Sequence, residues 1–253
     1  MKKKILVTGA SSGIGRATSL MLARKGHSVL MAARRVDRLR EIASAEATIV
    51  GELLVAELDV SSSDSVDKFL TAQGAWLQDV DVLVNNAGLA LGRESFQESA
   101  LPDIEQVIQT NVMGLLRVSR KILPFMVARK SGHIVNLGSV AGRTAYPGGT
   151  VYCATKAAVH MMTEALRYDL GGTGVRVSTV APGRVAETEF SEIRFKGDKE
   201  KAAQVYQGFR TMTATDVAEA IAWIVERPAH VNIQEIVLMP TDQISATTMG
   251  PLK

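Results

Sequence analysis

The chain has 253 residues, 46% of them hydrophobic, with 29 lysines and arginines against 26 acids for a net charge of +3. That apolar share suits one compact α/β domain with a large core, and the basic residues are spread along the chain rather than clustered, which argues against a nucleic-acid partner. Cys153 is the sole cysteine, so no intramolecular disulfide can form and a reducing, cytoplasmic setting is expected.

Lys2-Lys3-Lys4 before Ile5-Leu6-Val7 resembles the start of a leader, but the apolar run stops at Thr8-Gly9, too short for an h-region. No later stretch has the ~20 apolar residues of a membrane span. Short apolar runs predict strands over Lys4–Thr8, Ser28–Ala33, Glu52–Leu58, Val80–Val84, His133–Leu137, Val175–Ala181 and Glu235–Leu238. Most are continuous rather than alternating, as in strands covered on both faces. Helical patterns fall between them. Arg16–Lys25 ends at Gly26, and the Ser61-Ser62-Ser63-Asp64 cluster opens a helix through Ala72. Val151–Leu170 runs to Gly171-Gly172, and Asp216–Arg227 stops before Pro228. Strand–helix alternation implies a parallel sheet with helices on both faces and ligands along the edge where the strands end. Residues 1–253 form a single domain in this reading. The polar segment 187–208 interrupts the alternation as a small lid, and the tail 241–253 is weakly patterned, either disordered or docked on a neighbour.

Four features carry chemistry. Tyr152 and Lys156 are four residues apart, so on a helix they share a face, and a nearby ammonium favours the phenolate. Such a tyrosine can exchange a proton with an alcohol or carbonyl. Ser139 lies thirteen residues upstream. The first strand leads into Gly9-Ala10-Ser11-Ser12-Gly13-Ile14-Gly15, whose glycines permit a tight turn and whose following helix offers N–H donors to a pyrophosphate. Its spacing departs from G-x-G-x-x-G. After the second strand comes Arg34-Arg35 with no acid, which favours the 2′-phosphate of NADP(H) over the ribose hydroxyls of NAD. Together these describe a hydride-transfer enzyme.

The same loop also fits G-x-S-x-G with Ser11 central, a hydrolase elbow. None of His27, His133, His160 and His230 has an evident acidic orienter, and little chain precedes the first strand to build an oxyanion loop; the hydrolase is disfavoured. No metal-ligand spacing is present, so no metal is expected. Cys153 reads as a small packed residue rather than a nucleophile.

Thr8-Gly9-x-x-x-Gly13-x-Gly15, Asn85-Asn86-Ala87-Gly88, Asn111, Ser139, Tyr152-x-x-x-Lys156 and Pro182-Gly183 occur in the order and spacing of the short-chain dehydrogenase/reductase family, which the chain resembles from about residue 4 to 240. The resemblance implies a Rossmann-like, doubly wound parallel sheet of about seven strands. It makes Tyr152 the general acid, places Ser139 on the same oxygen, has Lys156 tune the tyrosine and bind the nicotinamide ribose, and has Asn111 hold a water in a proton relay. Gly9, Ser11, Ser12, Gly13, Ile14, Gly15, Arg34 and Arg35 would hold the phosphates. Asp59 and Val60 would meet the adenine, Asn86, Ala87 and Gly88 the adenosine ribose side, and Pro182, Gly183, Val185 and Thr188 the carboxamide. One extra residue between Val185 and Thr188 departs from the family's P-G-x-V-x-T. Dimers or tetramers would form through the segments around Val107–Arg129 and Val151–Leu170.

Within the family, Asn85 to Gly92, Thr188 to Ser191, Arg194 to Asp198 and Pro228 to Ile233 look like the NADP-dependent 3-hydroxy acid dehydrogenases acting on serine, allo-threonine and malonic semialdehyde, with sulfoacetaldehyde reductases similar. The resemblance implies a small anionic carbonyl or hydroxy substrate. Arg143 and Arg194, with Ser139 and Tyr152, are the candidate substrate contacts. A basic residue at Arg143 departs from the subgroup's pattern and points to a different anion, such as a sulfonate. Two other readings are a reductase of neutral aldehydes or diketones, and a non-catalytic sensor of NADP(H).

Overall fold

A computed structural model describes residues 2–250. Among these residues seven strands form one all-parallel sheet: β1 (Lys4–Thr8), β2 (Ser28–Ala33), β3 (Glu52–Glu57), β4 (Val82–Asn85), β5 (Gly132–Leu137), β6 (Val175–Pro182) and β7 (Glu235–Leu238), in the order β3-β2-β1-β4-β5-β6-β7. The order reverses between β1 and β4, and the loops leaving these two strands part there to open a crevice. The seven expected strands are all present, with ends displaced by two residues or fewer. The fourth begins later than expected, the Val80 N–H still bonding back to the Leu77 carbonyl at 3.2 Å and the first β1–β4 pair being Ile5 with Val82.

The helices are α1 (Gly13–Arg24), α2 (Val36–Ala45), α3 (Ser63–Leu77), α4 (Leu101–Ile108), α5 (Leu115–Ala128), α6 (Thr150–Asp169), α7 (Phe190–Arg194), α8 (Lys199–Gln204) and α9 (Ala214–Val225). One sheet face packs Ile5, Val7, Val29 and Met31 against apolar residues of α1, α2 and α9. The other packs Leu6, Leu30, Leu83 and Ile134 against α3, α5 and α6. Neighbouring residues along each central strand are thus buried on opposite faces, which is why these strands read as continuous apolar runs. Ser62 caps α3, accepting from the Ser65 N–H. That helix runs five residues past the expected Ala72, since Leu77 at its end is fully buried. Thr213 and Asp216 close a reciprocal capping box on α9.

The long segment expected around Val107–Arg129 is not uniformly helical. A π-turn over Gln109–Gly114 joins α4 to α5 and contains Asn111. Such turns shift the backbone register and concentrate at functional sites. Between β6 and α9 the segment expected to act as a lid, 187–208, contains α7 and α8. The tail from Thr241 to Gly250 folds back on its own chain: Asp242 is buried and bonds Arg210, and the Gln243 Oε1 accepts the Arg184 N–H at 2.8 Å.

Candidate active site

The strand ends β1, β4, β5 and β6 and the lid surround one deep cleft. Gly9 and Gly13 adopt left-handed φ of 65° and 50°, conformations that suit glycine. A Cβ at Gly15 would stand 2.4 Å from the Asn86 Nδ2 and 2.5 Å from the Gly9 carbonyl oxygen. The loop is thus held close to β4, where Asn86 donates to the carbonyls of Thr8 at 2.9 Å and Gly9 at 3.1 Å, and Thr8 Oγ1 accepts from the N–H groups of Asn86 and Ala87. Ser12 precedes α1 without capping it through its side chain, so the first-turn N–H groups face the cleft as an anion site. Arg34 and Arg35 line the same end of the cleft. Arg35 donates to Ser11 Oγ at 3.0 Å and pairs with Glu189 of the lid at 2.7 Å. This donor set fits a dinucleotide carrying an extra phosphate. Ser11 Oγ accepts from an arginine rather than activating against a histidine, which leaves the hydrolase reading without a base.

Asp59 and Val60 line the cleft beyond Arg34, with the Asp59 carboxylate accepting from the N–H and hydroxyl of Ser61. Asn86, Ala87 and Gly88 form the floor, and Pro182, Gly183, Val185 and Thr188 the opposite wall. The extra residue before Thr188 is absorbed locally. Glu187 takes a left-handed φ of 57°, and Thr188 comes back over the glycine loop, within 3.2 Å of where a Gly13 Cβ would lie.

Ser139, Tyr152 and Lys156 meet deep in the cleft. Ser139 leaves β5 in extended conformation, its Oγ accepting from the Ala141 N–H at 3.1 Å. Tyr152 and Lys156 lie one turn apart on α6, with the ammonium 5.9 Å from the phenol ring centroid. Lys156 Nζ donates to the Leu137 carbonyl at 2.7 Å. Burial pushes this lysine down to about 8. Burial pushes the Tyr152 phenol up, with the hydroxyl of Ser139 and the charge of Arg194 opposing. Burial thus runs against the lowering expected from the lysine.

The Asn111 amide bonds to Leu89 and Thr155. Its Nδ2 donates to the Leu89 carbonyl at 2.8 Å and to Thr155 Oγ1 at 3.1 Å, and its Oδ1 accepts the Leu89 N–H. The side chain thereby ties the π-turn to the loop after β4. Asn111 and Lys156 still adjoin one point, since a Cβ at Gly88 would lie 3.3 Å from Asn111 Oδ1 and 3.6 Å from Lys156 Nζ.

The two candidate substrate arginines separate. Arg143 does not line the cleft. It turns outward and pairs with Glu235 of β7, so its assignment to substrate is corrected. Arg194, at the end of α7, is buried in the cleft wall and stands 6.0 Å from the Tyr152 ring centroid. It donates to the Gly92 carbonyl at 3.0 Å, the Tyr146 hydroxyl at 2.9 Å and the Gly148 carbonyl at 3.2 Å. Sequence reasoning missed Tyr146, Phe190 and Gln243 in the lining. Phe190 packs edge-on against Tyr152 at 5.5 Å. Tyr146 lies seven residues after Ser139, and an aromatic in that loop was a usable signal; Gln243 reaches the site only through the folded-back tail. Among the described residues, no cluster of three or more His, Cys, Asp or Glu could hold a metal, and no helix is long and apolar enough to cross a membrane.

The short chain dehydrogenase family model matches residues 3–199. NADP-dependent 3-hydroxy acid dehydrogenase YdfG of Salmonella typhi is 44% identical over 240 residues, 94% of this chain and 95% of that protein. The NADP-dependent 3-hydroxy acid dehydrogenase of Schizosaccharomyces pombe is 41% identical over 243 residues, 95% of this chain and 93% of that protein. Among solved structures, the closed form of a serine dehydrogenase complexed with NADP+ superposes with a TM-score of 0.92 at 43% identity, covering 99% of this chain and all of that one. With the glycine loop, the Ser139, Tyr152 and Lys156 cluster and a match spanning most of its length, the chain belongs to the short-chain dehydrogenase family.

Proposed function

We propose that the protein interconverts a small anionic 3-hydroxy compound and its β-carbonyl partner, as a 3-hydroxy acid dehydrogenase or a sulfoacetaldehyde reductase does. NADP(H) is the cofactor, in keeping with the NADP dependence of the relatives and with Arg34 and Arg35 at the phosphate end of the cleft. When bound, NADPH supplies the hydride. Tyr152 gives its proton to the carbonyl oxygen, Ser139 donates a hydrogen bond to the same oxygen, and Lys156 sits behind the phenol as the charge that eases its ionisation. Reverse transfer makes Tyr152 the base. Thr188 and Phe190 cover the reacting end and exclude water.

The observation that carries the substrate class is Arg194. A guanidinium has five N–H donors. Three are engaged by Gly92, Tyr146 and Gly148, so two remain for an anion beside the phenol. A buried cation held by three hydrogen bonds close to the phenol suits a short carboxylate or sulfonate. The enzyme is cytoplasmic and works as a dimer or tetramer; the large exposed side chains Met161 and Tyr168 on α6, with Ile108, Met113 and Val127 in the segment 107–129, favour assembly through these two segments.

The test is NADPH consumption with malonic semialdehyde and sulfoacetaldehyde against propanal, together with NADP+ reduction by serine and 3-hydroxypropionate. The acids should win by at least about tenfold in kcat/KM, the worth of one charge-assisted hydrogen bond. Arg194→Lys should erase most of that preference by raising KM for the acids alone. Equal turnover of propanal and its acidic counterparts would sink the assignment.

A further inference from the structure

Behind the reacting serine lies a polar cluster that the chemistry above does not use. His160 sits one turn after Lys156 on α6, and its ring presses on the loop that carries Ser139. A Cβ at Gly142 would lie 2.6 Å from the ring Cδ2, and one at Gly138 would lie 2.9 Å from Nε2. Nδ1 is 3.1 Å from the Glu235 carboxylate on β7, and Arg143 pairs with the same carboxylate. Nε2 stands 3.0 Å from the Ser139 carbonyl oxygen and 3.5 Å from the Ser139 N–H.

These contacts admit two proton states with different bonding. The doubly protonated ring donates at both nitrogens, to Glu235 and to the Ser139 carbonyl. The singly protonated ring keeps its Nδ1–H on Glu235, and its bare Nε2 then faces a carbonyl oxygen with nothing to donate. Its available partner becomes the Ser139 N–H, to which the ring must move closer or the peptide must turn. The carbonyl also accepts the Gly142 N–H at 3.0 Å, and the hydroxyl accepts the Ala141 N–H, so a turn of this peptide is felt by the hydroxyl. The charged group on the ring is Glu235 from β7, with Arg143 from the loop after Ser139 reaching the same carboxylate, while Lys156, one turn earlier on α6, sends its ammonium to the Leu137 carbonyl.

We propose that His160, anchored by Glu235, is a positioning residue that sets the orientation of the Ser139 hydroxyl from behind through a bond whose donor and acceptor exchange with protonation. Arg143 tempers the carboxylate of that anchor. This rests on Ser139 serving the carbonyl oxygen, as proposed above.

The experiment is the dependence of kcat on pH, from 5 to 7, below the range in which Lys156 loses its proton, for the wild-type enzyme, His160→Gln and Glu235→Gln. The wild-type profile should show an inflection that His160→Gln abolishes and that Glu235→Gln, which unties the ring, weakens. Near neutrality His160→Gln should lose about tenfold in kcat, the worth of one hydrogen bond, with KM for NADPH unchanged. An inflection that survives His160→Gln, or a profile superimposable on wild type, overturns the proposal. If the variant does not fold, or the wild type turns over none of the substrates tried, the wild-type protein labelled with 15N at histidine and Ser139 decides. The Ser139 amide shift must follow the His160 ring nitrogens through one shared titration, and an amide indifferent to the ring overturns the proposal. That readout needs no turnover, so a wrong substrate class and a wrong switch are told apart.

Discussion

Lys156→Met, measured without cofactor, tests the electrostatics at the bottom of the cleft. Burial pushes Lys156 from 10.5 down to about 8, which at 1.36 kcal/mol per pH unit sets about 3 kcal/mol against its charged form. The unfolded chain binds that proton more tightly than the folded one. The penalty is therefore present in full below about pH 8 and fades as pH rises to 10.5, so stability climbs with pH across this window. Methionine carries no such penalty but forfeits the bond to the Leu137 carbonyl, and that loss is nearly independent of pH. The stability of Lys156→Met relative to wild type should thus fall by about 2 kcal/mol between pH 7 and pH 9.5, whatever its size at pH 7. For a chain of this length that is a change of about 4–8 °C in the difference between melting temperatures. Calorimetry of both proteins at several pH values reads it directly. A difference that stays constant over the range would show that the lysine is not held against its preference for water, and the account of the buried pair would fail.

Tyr152→Phe should lower kcat by at least about 10²–10⁴, the range for general acid–base assistance, while a fluorescence titration finds NADPH binding nearly intact; retained turnover removes the assigned acid. Arg34→Asp should weaken NADPH by about tenfold or more through loss of a charge-assisted contact and leave NADH little changed, as dissociation constants for the two cofactors will show. Gly15→Ala should destabilise the fold by about 1–3 kcal/mol by overpacking, since its Cβ would collide with Asn86 and the Gly9 carbonyl, and NADPH affinity should fall with it. Arg143→Ala should leave KM for acidic substrates unchanged, because the side chain pairs with Glu235 outside the cleft.

What the amino-acid order determines by itself is whatever depends on short-range geometry. The strand–helix alternation, the glycine turn before α1 and the shared face of Tyr152 and Lys156 follow from the periods of the backbone and from glycine's freedom at positive φ. Those features were enough for the sheet, the cleft at the reversal between β1 and β4, and the family. Tertiary structure decided everything set by through-space neighbours. Arg143 is drawn out of the site by a carboxylate 92 residues away, Arg194 is swung in by the lid, and Gln243 arrives on a tail that folds back. The acidity of Tyr152 belongs to this second class. The i, i+4 spacing supplies a cation 5.9 Å from the ring centroid, while burial in the assembled cleft pushes the phenol up. Charge and burial act over distances that the chain spans only once it is packed.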